Sequence, residues 1–464
     1  MAKSIPRIHD VPSGRPSIFG HQWSVAGDMV SVRAGGDDRI THMTVQKDDT
    51  AGDSTTQSRP DDAVPLEMGR VVRRTAIIGG IALLAILVGF ASLWAYDRWA
   101  EKKQEAFRTS CEAAVAAQDW DELLQTATAW RDWDPDNDDS LMFIAQALVD
   151  LERLDEAVET LGRVEDDYKG ALEALAFRAE IQYSALNRPF DAEGTWRRMV
   201  KIAPNANLPR QRLIYFYAMT LQRNAMEQQI REAVMLECEP PEAYSYILLK
   251  NVLNFSDGLA KTTRWLLNYP DDETLQVAQA VYAARQDSEG KIATFGFRTV
   301  MPGSLDLVER RLKQYPSNLE LLAVKIDQAI FEGDAREVTE LLAQANPSAE
   351  NDSRFWRIRG WLMLDRGRYE EAVEAFEAAI DINVFDWQAR WLLADALRKL
   401  NRTEEADRAS ALALTGKELQ QRIFEKPSAR DLDEELAADI LQYARDLEAT
   451  LFAESLARRL NLTP

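Results

Sequence analysis

The sequence predicts an all-α chain: a stack of helix hairpins preceded by one helix long and apolar enough to cross a membrane. Three observations carry this. After residue 100, apolar residues recur three and four apart, the spacing of one helix face, and strand-like alternation is missing. The same stretch compares with itself at a period of about 34 residues. Between Ala76 and Tyr96, 21 positions carry no charge.

In chain order, residues 1–70 come first. They are rich in Gly, Pro, Ser and Asp without a sustained period, as in QKDDTAGDSTTQSRPDDAVP. Such a segment has too little apolar surface to offset its chain entropy, so a disordered tail is expected. Met68 opens MGRVVRRTAIIGG, a basic stretch leading into an apolar one, which makes Met68 an alternative start of translation.

The second element is a transmembrane helix over 75–97. At about 1.5 Å per residue, its apolar run spans roughly the 30 Å of a bilayer's hydrocarbon. A soluble core helix of this length would show a polar stripe, and this one has none. The run is longer than a signal-peptide core and no A-x-A cleavage site follows, so an uncleaved anchor is expected. Trp94, Tyr96 and Trp99 fall where an interfacial aromatic belt would lie. Arg70, Arg73 and Arg74 before the span nearly balance Arg98, Lys102, Lys103 and Arg108 after it. The three leading arginines have no interleaved acids, and a basic leader before an apolar anchor resembles a bacterial signal-anchor. That resemblance implies the inner membrane, with the N-terminus cytoplasmic and the remainder periplasmic. Ala85 and Gly89 form a small-xxx-small pair through which two anchors would approach, leaving a homo-oligomer open.

The remainder is long enough for real cores, since 46% of the chain is hydrophobic. Residues 1–74 hold ten basic and ten acidic residues, so the net charge of −21 arises after position 96. An acidic module repels phosphate backbones, so nucleic acid is not an expected partner, and basic or neutral proteins or peptides are. His9, His21 and His42 all lie in the tail, which removes imidazole chemistry and histidine metal sites from the folded part. Cys111 and Cys238 form no CxxC pair and read as buried structural thiols. Gly416-Lys417 lacks the upstream glycine spacing of a phosphate loop. The acids at 136–139 and 431–435 lack calcium-loop spacing and suit turns and helix N-caps. No catalytic constellation, metal or cofactor is expected.

The repeat carries a resemblance. RFWRIRGWLMLDRGRYEEAVEAFEAAIDIN, from Arg354 to Asn383, resembles the tetratricopeptide repeat family at Trp356, Gly360, Tyr369, Ala372, Phe376 and Ala379. The next unit, from Trp387 to about Thr415, matches at Leu393, Ala394, Leu397, Ala406 and Ala413. Earlier units place Cys111 at a small position, then Leu141, Ala145, Ala157 and Leu161, then Ala179, Ala192, Trp196 and Met199. Closing prolines recur at Pro135, Pro204, Pro241, Pro270, Pro316 and Pro347, and the 46-residue gap between Pro270 and Pro316 points to an insertion over Lys291 to Ser304. The family's small residues are poorly kept between 205 and 304, so the register there is open.

The resemblance implies a right-handed superhelical solenoid over 100–415 and a protein-binding groove lined by first helices. By resemblance Trp361 and Trp391 line that groove, with Arg357, Asp365, Asp395 and Arg398 as charged clamps; packing between repeats is the alternative role for the two tryptophans. Residues 416–464 read as amphipathic helices that would cap the last repeat. The implied function is a membrane-anchored interaction scaffold or chaperone-like adaptor for envelope or exported proteins. A self-associating structural envelope protein is the alternative.

Overall fold

The computed structural model of the protein describes residues 68–285 and 305–462. Residues 1–67 of the expected tail, with the three histidines, and the expected irregularity at 291–304 lie outside the described residues. Residues 86–464 form one compact unit, and of the other, residues 1–85, only the start of the first helix is described.

Among the described residues there are twenty α-helices and no strand. They are α1 (Met68–Ala117), α2 (Trp120–Trp133), α3 (Asp139–Asp150), α4 (Leu154–Gly162), α5 (Ala171–Glu180), α6 (Pro189–Ile202) and α7 (Asn207–Met219). Next come α8 (Arg223–Met235), α9 (Glu242–Leu248), α10 (Gly258–Trp265), α11 (Glu273–Arg285), α12 (Asp306–Gln314), α13 (Leu319–Glu332) and α14 (Ala335–Leu342). The last six are α15 (Ser353–Asp365), α16 (Tyr369–Ile382), α17 (Trp387–Lys399), α18 (Thr403–Phe424), α19 (Glu434–Asp446) and α20 (Thr450–Arg459). Apart from α9 and α10, where α9 packs on α7 and α8 and α10 on α11, they pair in order as hairpins of a tetratricopeptide-like solenoid, and the six prolines named above fall in the breaks after α2, α6, α8, α10, α12 and α14.

Most described reversals within hairpins carry no glycine. Gln118, Glu152, Asn187, Leu221, Asn401 and Glu448 take a left-handed conformation at these turns, and only Gly333 and Gly367 supply the residue that suits it. The turn is held by backbone bonds reaching back five residues, such as Asp119 N to Ala114 O at 3.0 Å and Arg402 N to Leu397 O at 2.9 Å. This closure satisfies the last carbonyls of the first helix, which offsets the local strain at a side-chain-bearing residue.

Small residues set the approach of paired helices. A Cβ on Gly360 of α15 would lie 2.5 Å from the fully buried Phe376 ring of α16. Ala372, Ala379, Ala394, Ala406 and Ala413 are fully buried, as the repeat pattern requires. Cys111 is buried, whereas Cys238 is only half-buried, so one of the two expected buried thiols is not enclosed. Burial, and secondly Glu112, pushes the Cys111 thiol up to about 11.

The expected anchor and the first repeat helix are not separate elements. α1 runs for 50 residues through both. From Leu83 it includes a stretch apolar enough to cross a membrane by length and composition, with its large side chains exposed, among them Leu87, Phe90 and Leu93. At the other end, α18 runs without a break through residue 415. α19 packs on α18, but the chain then returns to its own middle: α20 packs on α8. Tyr244 Oη and Ser455 Oγ lie 2.6 Å apart, and Arg430 Nε donates to Glu242 at 3.1 Å. A solenoid in which repeats touch only neighbours would not bring residues about 200 apart together.

Candidate functional site

Each first helix of the C-terminal repeats starts at a side-chain cap. Asn318 caps α13, accepting from Glu320 N at 3.1 Å. Asp352 caps α15, accepting from Arg354 N at 3.0 Å, and Asp386 caps α17, accepting from Ala389 N at 3.0 Å. Because the caps fix where each helix begins, Glu320, Arg354 and Arg357 sit within the first turns of neighbouring helices and converge.

What they converge on is the chain's own segment 250–253, which follows α9 as a short 3₁₀ turn. Asn251 Nδ2 donates to Ser353 Oγ at 3.0 Å and to Asp386 Oδ2 at 2.7 Å. Arg223 donates to the Lys250 carbonyl and Arg285 to the Leu253 carbonyl. Arginines hold this turn at two carbonyls and polar groups hold it at one side chain, so it is seated on the starts of α15 and α17. A cavity of about 30 Å³ remains, lined by Asn251, Val252, Arg285, Ala323, Asp327, Arg354, Arg357, Ile358 and Gln388. That is room for a water or two.

The surrounding charges are matched. Glu320 accepts from Arg223 Nε and Nη2, both at 2.9 Å, and from Arg354 Nη1 and Nη2 at 3.0 and 2.6 Å. Burial alone would raise the Glu320 carboxyl, but Arg223 and Arg354 outweigh it and hold it well below the carboxylate range. Burial pushes Arg285 down to about 10, aided by the nearby Arg223. Burial likewise raises the carboxyl of Asp327, against the pull of Arg357 and Arg285.

Of the six residues expected to form the groove, the structure places one here. Arg357 Nη1 donates to both oxygens of Asp386, at 2.9 and 2.7 Å. Trp361, one turn further along α15, is half-buried and packs against the core shared by α13, α14 and α15. Asp365 at the end of α15 is exposed; on α17, Trp391 and Asp395 are half-buried and Arg398 is exposed. Sequence reasoning missed Arg223, Asn251, Arg285, Glu320 and Asp386. One signal was available: Arg285 continues the apolar stripe of Val277 and Val281 at helical spacing, and an arginine on a buried stripe needs partners. Nothing comparable marks Asn251, which reaches the site only through tertiary packing.

The acid clusters act as turn and cap groups. Asp138 accepts from Glu165 N at 2.9 Å, and Asp433 caps α19 through Leu436 N at 2.8 Å.

A family model described as a tetratricopeptide repeat matches residues 335–384 and 359–415. Solved structures are similar at low identity. One is a tetratricopeptide repeat protein from Parabacteroides merdae, at 13% identity over 63% of this chain and 98% of that one, TM-score 0.25. A second is the APC/C hetero-tetramer Cut9-Hcn1, at 13% identity over 77% and 78%, TM-score 0.29. A third is yeast Tom70, at 12% identity over 76% and 89%, TM-score 0.25. No curated protein matches the sequence. The segment 335–415, which runs from α14 into α18, is thus the part of the chain that matches the tetratricopeptide repeat.

Proposed function

We propose that the protein is a membrane-tethered interaction scaffold, an adaptor for envelope or exported proteins, whose partner lies along the outer halves of α15 and α17. The observation that carries this is the arrangement of two successive family-matched first helices around an occupied base. Segment 250–253 covers their N-terminal turns, so a partner is directed to the later turns, where Trp361, Asp365, Trp391, Asp395 and Arg398 lie. Half-buried aromatics beside exposed charges suit an extended peptide or a helix. Arg357, committed to Asp386, holds the base in place. The net charge of −21 favours a basic or neutral partner. In this reading α1 is the anchor, and the basic leader orients the repeats to the periplasmic side of a bacterial inner membrane.

The test is quantitative co-purification from detergent-solubilised membranes, wild type against Trp361→Ala/Trp391→Ala, with circular dichroism showing both folded. A defined set of proteins lost only from the variant supports the site. Recovery of the same proteins by both forms overturns it. A C-terminal reporter fusion reads the orientation, and activity of a cytoplasm-specific reporter would overturn the periplasmic assignment.

A further inference from the structure

The first hairpin leaves aromatic surface exposed at the edge of its core. Trp130 of α2 is fully buried with Leu123, Ala127 and Cys111 and completes that core. Trp133, one turn later, packs at the edge of that core and is only half-buried. Its ring meets Trp99 of α1 edge-on at 6.0 Å and Phe107 at 5.9 Å. Lys103 Nζ stands 4.5 Å from the Trp133 ring centre and 5.1 Å from that of Trp99. Trp99 in turn lies 5.9 Å from Tyr96, and both remain more than half exposed, at 51% and 60%.

Position along α1 says what covers these rings. Trp99 is three residues past Tyr96, about 5 Å further along the helix. A headgroup layer is roughly 5–7 Å thick on each side of the hydrocarbon. α2 runs back antiparallel, so its C-terminal end returns toward the apolar stretch. Gln104 Nε2 donates to Asp134 at 2.8 Å and Arg108 pairs with Asp139. Helix side chains lean toward the helix N-terminus, here toward the apolar stretch, so these ties place the turn 134–139 about one to two helical turns beyond Tyr96. Aromatic rings and an ammonium stem are the groups that settle at a lipid–water boundary.

We propose that Trp99, Lys103 and Trp133 form a collar seating the first hairpin in the headgroup layer of a lipid bilayer, so that the repeat and not the anchor alone contacts the membrane. The proposal rests on the anchor reading of α1 and extends it to a residue in another helix. The exposed acids Asp132 and Asp136 at this edge direct the collar to a surface of low charge, such as phosphatidylcholine.

The experiment uses the full chain reconstituted in phosphatidylcholine vesicles, with Cys238→Ser and a single fluorescent label at Leu87→Cys, Asp136→Cys or Asp121→Cys. Cys111 is buried and does not compete for label. Asp121 opens α2 at the far end of the hairpin, level with the end of α1, about 30 Å beyond Tyr96. A nitroxide on the lipid headgroup should quench the label at 136 at least about twofold more than the label at 121, and a nitroxide on the acyl chain should quench the label at 87. Equal headgroup quenching at 136 and 121, with position 87 quenched from the acyl chain, overturns the collar while the anchor stands. Absence of acyl-chain quenching at 87 overturns the anchor and the collar with it.

Discussion

Replacing Glu320 with Gln removes one charge from the cluster that joins α8, α13 and α15 around segment 250–253. Glutamine keeps the shape and one acceptor oxygen, and Arg354 keeps Asp352, whose oxygens lie 2.6 to 3.2 Å from its guanidinium. Arg223, only 5% exposed, is left with the Lys250 carbonyl and no carboxylate. Counting four charged hydrogen bonds in full would give well over 6 kcal/mol, but the exchange with water cancels most of it. The relevant cost is one uncompensated buried cation, about 3 kcal/mol. That raises local opening about 100-fold at 1.4 kcal/mol per tenfold. Amide hydrogen exchange of the full chain in detergent is the assay, read at α9, segment 250–253 and the start of α13. The pH dependence has a definite sign. A carboxyl depressed below its ordinary 4.5 stabilises the fold above that value, and the contribution fades as pH falls from there toward the depressed value. Wild-type protection in these segments should therefore fall below about pH 4.5, whereas Glu320→Gln should be lower throughout and flatter. Unchanged exchange in the variant at neutral pH, or the same acid dependence in both proteins, would refute the account.

Two further outcomes follow from packing. Gly360→Ala drives a methyl into Phe376, a cost of about 1–3 kcal/mol against a helix gain of up to about 1, so urea unfolding should show net loss. Gly194→Ala in α6, where nothing lies within 4 Å of the new atom, should gain up to about 1 kcal/mol; the reverse order of the two variants sinks the argument. Ending the chain at residue 425 removes α19 and α20 and uncovers Tyr244, Phe385, Leu419 and Ile423, so aggregation is expected on size-exclusion chromatography in detergent. A monodisperse truncated protein with unchanged helix content would show that those helices are dispensable to the fold.

The sequence by itself determined the local and the repeating. Helical class follows from apolar residues three and four apart. Hairpin order follows from small residues such as Gly360 and Ala372, and the breaks between hairpins follow from prolines such as Pro204 and Pro316. These are signals carried within a repeat, where each residue's fate depends on near neighbours. The single uncharged run likewise marks a candidate span, since length and composition are all that property needs. The reversals at Glu152, Leu221 and Glu448 escaped because any residue adopts the left-handed turn when the closing backbone bonds outweigh its cost.

Tertiary structure alone decided what fills the wall of first helices and where the C-terminal helices go. Asn251 joins Asp386 across 135 positions, and Tyr244 meets Ser455 across 211. No period or spacing encodes such pairs. They arise because the irregular segment after α9 leaves the hairpin stack, so the buried charges of α8, α11, α13 and α15 must find their partners around it. Arg357 and Trp361 show the same division. Their place on a first helix was readable from the repeat, but what each meets in the adjacent repeats, Asp386 for Arg357 and the α13–α15 core for Trp361, was settled by packing.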